Sequence, residues 1–176
     1  MTASSNRFAD WPFVEIPTRL DEHQLRRVSD CVSRLHEAQH DDAVCGVAAL
    51  HREIAYLRRL ALFNAQLVDL YHSRDASLNH QWQLDWVPIV LDGQSRKNPF
   101  DHESARWSAL CFLQVEPSLG DISSPKRLDT PHLPGQLQIE SGTMYLMPAE
   151  AAREVAVQLV GLVRVAWGAN VSRAAV

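Results

Sequence analysis

The chain of 176 residues is the length of one domain, and its 46% hydrophobic content is enough to fill a single core. A formal net charge of -4, with no run of lysine and arginine, leaves no basic field for a nucleic-acid backbone. Cys31, Cys45 and Cys111 lack the paired spacing of a disulfide framework or a zinc knuckle, which points to a reducing cytoplasm.

The opening "MTASSNRFADWPF" has no basic segment leading into an apolar stretch, and no segment reaches the ~18 apolar residues of a membrane span, so a soluble protein with no membrane partner is expected. In "PTRLDEHQLRRVSDCVSRLHEAQHD", Leu20, Leu25, Val28, Val32 and Leu35 approximate one helical stripe, and Asp21 stands where a helix cap belongs. A second helix is predicted over "AALHREIAYLRRLALFNAQLVDLYHS", with Leu50, Ile54, Leu57, Leu60 or Ala61, Asn64, Leu67 and Leu70 or Tyr71 on its apolar side.

After about residue 80 the period changes from helical to alternating. "HQWQLDWVPIVLDG" alternates Trp82, Leu84 and Trp86 before an Asp-Gly turn signal. "ARWSALCFLQVEP" is apolar on both faces, as a buried strand should be. "SLGDISSPKRLDTPHLPG" reads as a long loop able to cover a site. "PGQLQIESGTMYLMP" is two short strands about a Ser-Gly turn. In "REVAVQLVGLVRVAWGAN", Val155, Val157 and Leu159 and then Val163, Val165 and Trp167 alternate, so this segment is predicted as strand. The order gives one domain, 1–176, with a helical part over about 1–80 and an all-β core over about 81–176, a jelly roll or small barrel with helices packed on it.

Two stretches carry a family resemblance. "DWVPIVLDGQSRKNPFDHESARWSALCFLQV" and "ESGTMYLMPAEAAREVAVQLVGLVRVAWGAN" resemble the double-stranded β-helix of the Fe(II)/2-oxoglutarate oxygenase superfamily, in particular bacterial prolyl-hydroxylase-like proteins, over roughly the last 95 residues. That resemblance implies a cupin-like jelly roll, an H-x-H or H-x-D metal motif six positions before a serine, a distal metal histidine, and an arginine that grips 2-oxoglutarate. Counted from Ser108, His102 matches the second letter of the metal motif and Phe100 stands where its first histidine belongs. Arg153 stands at the distal histidine, and Arg164 matches the co-substrate arginine, expected to point inward.

A facial triad needs two neutral imidazoles and a carboxylate. Phenylalanine has no lone pair and arginine is a permanent cation, so no metal is expected and His102 reads as its remnant. Arg164, Arg153 and Ser108 then become candidates for holding a small anion, a carboxylate or phosphate. The plain alternatives are a salt bridge for Arg164 to Glu140, Glu154 or Asp121, a solvated loop position for Arg153, and a loop histidine bonded to backbone for His102. An active oxygenase keeping Fe(II) and 2-oxoglutarate would need Asp101, Glu103 or His132 as ligands. A homodimer or a catalytic partner protein is a further possibility, with Trp82, Trp86 and Trp107 as core or dimer surface.

Other clusters carry less. His36 and His40 have i, i+4 spacing without a third ligand, His23 is a surface residue of the same region, and His51 with Glu53 and Tyr71 with His72 read as helix decoration. Cys111 sits mid-strand as a buried thiol, and Ser108 lacks a nucleophile elbow.

Overall fold

A computed structural model describes residues 14–37, 51–72, 80–90, 100, 104–115, 126–129, 136–159 and 163–175. Its elements in chain order are β1 (Val14–Pro17), α1 (Glu22–Glu37), α2 (Arg52–His72), β2 (His80–Val90), β3 (Trp107–Val115), β4 (Lys126–Asp129), β5 (Gln136–Ile139), β6 (Thr143–Pro148), α3 (Ala149–Gln158) and β7 (Val163–Ala175). Five strands form an antiparallel sheet in the order β1-β6-β3-β7-β2, and β4 and β5 pair as a second, two-stranded sheet. The architecture is α+β.

The centre of the large sheet is β3, which pairs with β6 on one side and β7 on the other. Its residues 107–113 are all buried, as the apolar letters on both faces require. Trp107, Ala109, Cys111 and Leu113 face a cluster with Val28 and Val32 of α1 and Ile54, Leu57, Ala61 and Ala65 of α2. Leu110 and Phe112 face the opposite cluster with Tyr145 and Met147 of β6 and Ala151, Ala152 and Val155 of α3. Each face of the sheet therefore has its own helical cover.

α1 begins at a capping box. The Gln24 backbone N–H donates to Asp21 Oδ1 (2.8 Å), and the Asp21 N–H donates to Gln24 Oε1 (2.9 Å). The predicted stripe of α2 holds in its first half and departs in its second, where Leu67 and Leu70 are exposed and the buried line runs through Ala61, Ala65 and Asp69. Alanines there let the helix lie close to the sheet, and Asp69 gives it a polar anchor. The Asp69 carboxylate, 5% exposed, is paired with the Arg106 Nε and with Arg173 Nη1 (3.2 Å), and it accepts from the Trp107 indole N–H (3.2 Å). Helix α2 is thus fastened to β3 and β7 by one buried carboxylate.

Three further expectations are corrected. β1 precedes the first helix and pairs with β6, although strands were expected only beyond residue 80. β4 lies inside the stretch read as loop. Residues 153–158, the start of the segment read as strand, belong to helix α3. The alternation at Val155, Val157 and Leu159 misled because Val157 is 69% exposed, while Ala152, Val155, Ala156 and Leu159 recur at three and four and are buried. Four alanines supply the helix propensity.

Pro88 is tolerated in β2 because β2 is an edge strand of the sheet, paired on one side only. The turn into β6 uses Gly142 at φ +88, the left-handed region that glycine enters without a Cβ penalty. Among the described residues no helix is long and apolar enough to cross a membrane.

Two outcomes follow from this packing. Asp69→Ala should lower stability by about 2–4 kcal/mol in urea unfolding, below the figure for a wholly buried pair because Arg106 is still 43% exposed. A loss within about 0.5 kcal/mol, typical of a surface change, would show that the carboxylate is not the anchor. Burial pushes the Cys111 thiol up to about 12, whereas Cys31 is raised by burial and partly lowered again by Arg34. In the native protein at pH 8, iodoacetamide should therefore label Cys31 and spare Cys111, which peptide mass spectrometry reads directly; equal labelling would mean that β3 opens readily.

Candidate functional site

The face of the sheet covered by α3 brings two of the resemblance-matched residues, Phe100 and Arg153, together. Residues of even number over 108–112 in β3 and 166–170 in β7 point to this side, where Ser108 pairs with Asn170, Leu110 with Gly168 and Phe112 with Ala166. Phe100 is fully buried among them. Its ring lies so close to Gly168 that a Cβ there would meet Phe100 Cζ at 3.1 Å and Ile89 Cδ1 at 2.6 Å. The glycine is needed for close approach: the phenyl ring occupies the space that any side chain at 168 would fill.

Arg153 is on α3, half-buried, and its Nε donates to the Phe100 carbonyl oxygen at 3.0 Å. The expectation of a solvated loop arginine is replaced by a helical one with a fixed partner. The two positions that the resemblance assigns to metal-binding histidines are therefore neighbours in space, although 53 residues apart in the chain. Neither side chain can ligate a divalent cation, the ring for want of a lone pair and the guanidinium because it carries a permanent positive charge.

Ser108 is fully buried, and its hydroxyl donates to Asn170 Oδ1 at 2.9 Å. A hydroxyl has one proton, so in this arrangement none is directed at an anion. Arg164 follows buried Val163 and precedes buried Val165, and it is itself exposed, whereas the resemblance implies an arginine that points inward. It stands near the start of β7, away from the Ser108–Asn170 pair at the other end of the even-numbered row. Its exposure avoids the cost of burying a guanidinium, and the side chain is not without a partner there.

His102, Asp101, Glu103, Asp121 and His132 lie outside the described residues, as do Cys45 and His40. Among the described residues, no three histidine, cysteine, aspartate or glutamate side chains come together so as to hold a metal ion. Trp107 is core, and Trp82 and Trp86 pack partly buried against the α1 and α2 face.

Sequence reasoning also passed over two ionic centres. Glu53, read as decoration, is 3% exposed and lies 3.4 Å from Arg27 Nη1 and 3.1 Å from His51 Nδ1. The last contact becomes a hydrogen bond whenever Nδ1 carries the proton, and it joins two buried atoms that otherwise have no partner. Asp69 is the second. Each sits where the apolar stripe of a helix would have an aliphatic residue, and that polar letter in an apolar row was the available signal.

No protein-family model matches the sequence, and no curated protein matches it. Among solved structures, the crystal structure of the viral collagen prolyl hydroxylase vCPH from Paramecium Bursaria Chlorella virus-1 is similar, with a TM-score of 0.52 and 11% sequence identity over 93% of this chain and 90% of that one. Over nearly its whole length, the chain shares the fold of a prolyl hydroxylase.

Proposed function

We propose that this is a cytoplasmic double-stranded β-helix protein of the 2-oxoglutarate oxygenase type that has lost its iron site. In this reading it binds a small carboxylate or phosphate anion, or serves as the non-catalytic partner of another protein. The observation that carries it is the 3.0 Å hydrogen bond from Arg153 to the carbonyl of Phe100. Those are the two positions where the resemblance requires imidazoles, and they meet as its ligands would. What they bring is a phenyl ring packed into the core and a cation, in place of two nitrogen donors. Of the three ligands only His102 remains, and one imidazole does not hold Fe(II).

The arginines supply the affinity for an anion. A guanidinium presents two parallel N–H donors that match a carboxylate or phosphate edge. Arg153 gives its Nε to Phe100, and Arg164, exposed near the start of β7, has a partner of its own that an anion would share or displace.

The likeness to a prolyl hydroxylase favours one second reading, an active oxygenase with Fe(II), 2-oxoglutarate and unconventional ligands. Calorimetric titration with Mn(II), an oxygen-inert stand-in for Fe(II), separates the two. We expect no binding of Mn(II) that 2-oxoglutarate strengthens, and no succinate formed from 2-oxoglutarate with Fe(II) and oxygen. Tight Mn(II) binding enhanced by 2-oxoglutarate would establish the oxygenase instead. Binding of 2-oxoglutarate alone should weaken roughly tenfold in Arg164→Ala, the value of about one charged hydrogen bond; unchanged affinity would remove Arg164 from the site.

A further inference from the structure

A second constellation lies on the other side of the molecule. Between the turn that links β1 to α1 and the first turns of α2 is a cleft of about 330 Å³. Three arginines line it, Arg19 from the turn and Arg52 and Arg59 from α2, and all three are exposed. Leu20 and Tyr56, also in its wall, belong to the α1 and α2 face of the core, opposite the face that holds Phe100.

The charges do not cancel within the cleft. Glu53 is its one acid, and that carboxylate is already engaged by Arg27 and His51. Arg19, Arg52 and Arg59 form no ion pair with any described residue. The neutral groups add donors rather than acceptors: Gln24 uses its oxygen for the Asp21 N–H and keeps its amide N–H groups. Three guanidiniums against one acid that has its own partners, in a concave wall at the N-terminal end of a helix of 21 residues, make a field that favours negative charge.

The backbone at Arg19 provides an independent indication. It has φ +58 and is the one non-glycine residue at positive φ among those described. Such a conformation is uncommon for a residue with a Cβ, and glycine would adopt it without strain. The turn imposes it by fixing the residues on either side. Thr18 donates through its backbone N–H (3.1 Å) and its hydroxyl (2.6 Å) to the Gly142 carbonyl, and its own carbonyl accepts from the Tyr56 hydroxyl (2.7 Å). Two residues on, Asp21 is locked in the cap of α1. An arginine in place of an unstrained glycine, held by so many bonds, puts strain into the presentation of one cation to the cleft.

We infer that the Arg19–Arg52–Arg59 cleft is a binding site for a small dianion, a phosphate ester or a dicarboxylate, separate from the site around Arg153 and Arg164. Its volume suits a ligand of metabolite size. Tyr56 and Leu20 would flank the uncharged part of that ligand, and the guanidiniums would take its oxygens bidentately.

The test is calorimetry on the intact chain with inorganic phosphate and with succinate as probes, at low ionic strength and against sodium chloride of equal ionic strength. Sub-millimolar binding of at least one probe is expected, with a preference for phosphate identifying a phosphorylated ligand and a preference for succinate a dicarboxylate. Arg19→Gly should weaken it roughly tenfold or more. The same variant, free of anion, should melt at an unchanged or higher temperature, because the strain is relieved. Arg59→Gln, on a helix with no such strain, should weaken binding alike, and Arg26→Gln, an exposed arginine of α1 that lines neither site, should leave it unaltered. No binding of either probe, or binding that survives both Arg19→Gly and Arg59→Gln, overturns the inference. So does binding lost in Arg164→Ala and kept in those two, which would place the anion on the other face and speak for the reading given under the proposed function alone.

Discussion

Strand β3 has apolar side chains on both faces, and nearly everything else in the fold answers that constraint. A strand buried from 107 to 113 must be central in its sheet and must have a layer on each side. Helices α1 and α2 cover one face, and α3 and Phe100 contribute to the cover of the other. Burial of this kind is non-directional and does not by itself set the position of a helix along the sheet. Directional bonds do that, and the Asp69 carboxylate, shared by Arg106, Arg173 and Trp107, sets α2 against β3 and β7 at one place.

The two faces have different chemical prospects. On the face covered by α3, the Phe100 ring packs into the gap above Gly168 and the helical Arg153 donates to the Phe100 carbonyl. Space and electrostatics there both work against a bare cation. On the other side of the molecule, at the edge strand β1, the cleft beside α2 holds positive charge in excess. A fold shared with a prolyl hydroxylase places neither feature, because a scaffold fixes where strands run and leaves the chemistry to the side chains on them.

The ease with which each element could be read followed from how local its cause is. The capping box of α1 lies within four residues, and the period-two pattern of β3 within nine, so both were legible. β1 was not, because four residues carry too little period to register and the strand exists through its pairing with β6, some 130 positions away. α3 was misread because valines at 155 and 157 imitate a strand until burial shows that only the first is inside. For Arg164 an inward orientation comes from the family resemblance only, and its exposure between buried Val163 and Val165 is a property that the strand pattern does not carry.

By itself, the sequence determined the two long helices of the first half, the doubly apolar central strand, and the identities at positions 100 and 153, which rule those two side chains out as metal ligands whatever their surroundings. Residue type sets lone pairs and charge, and short-range period sets element type. The tertiary structure alone decided that Phe100 and Arg153 touch, that Asp69 and Glu53 are buried ionic centres, and that three separate arginines share one cleft. Each of these joins residues far apart in the chain, or groups whose meaning depends on burial, and the chain brings them together only by folding.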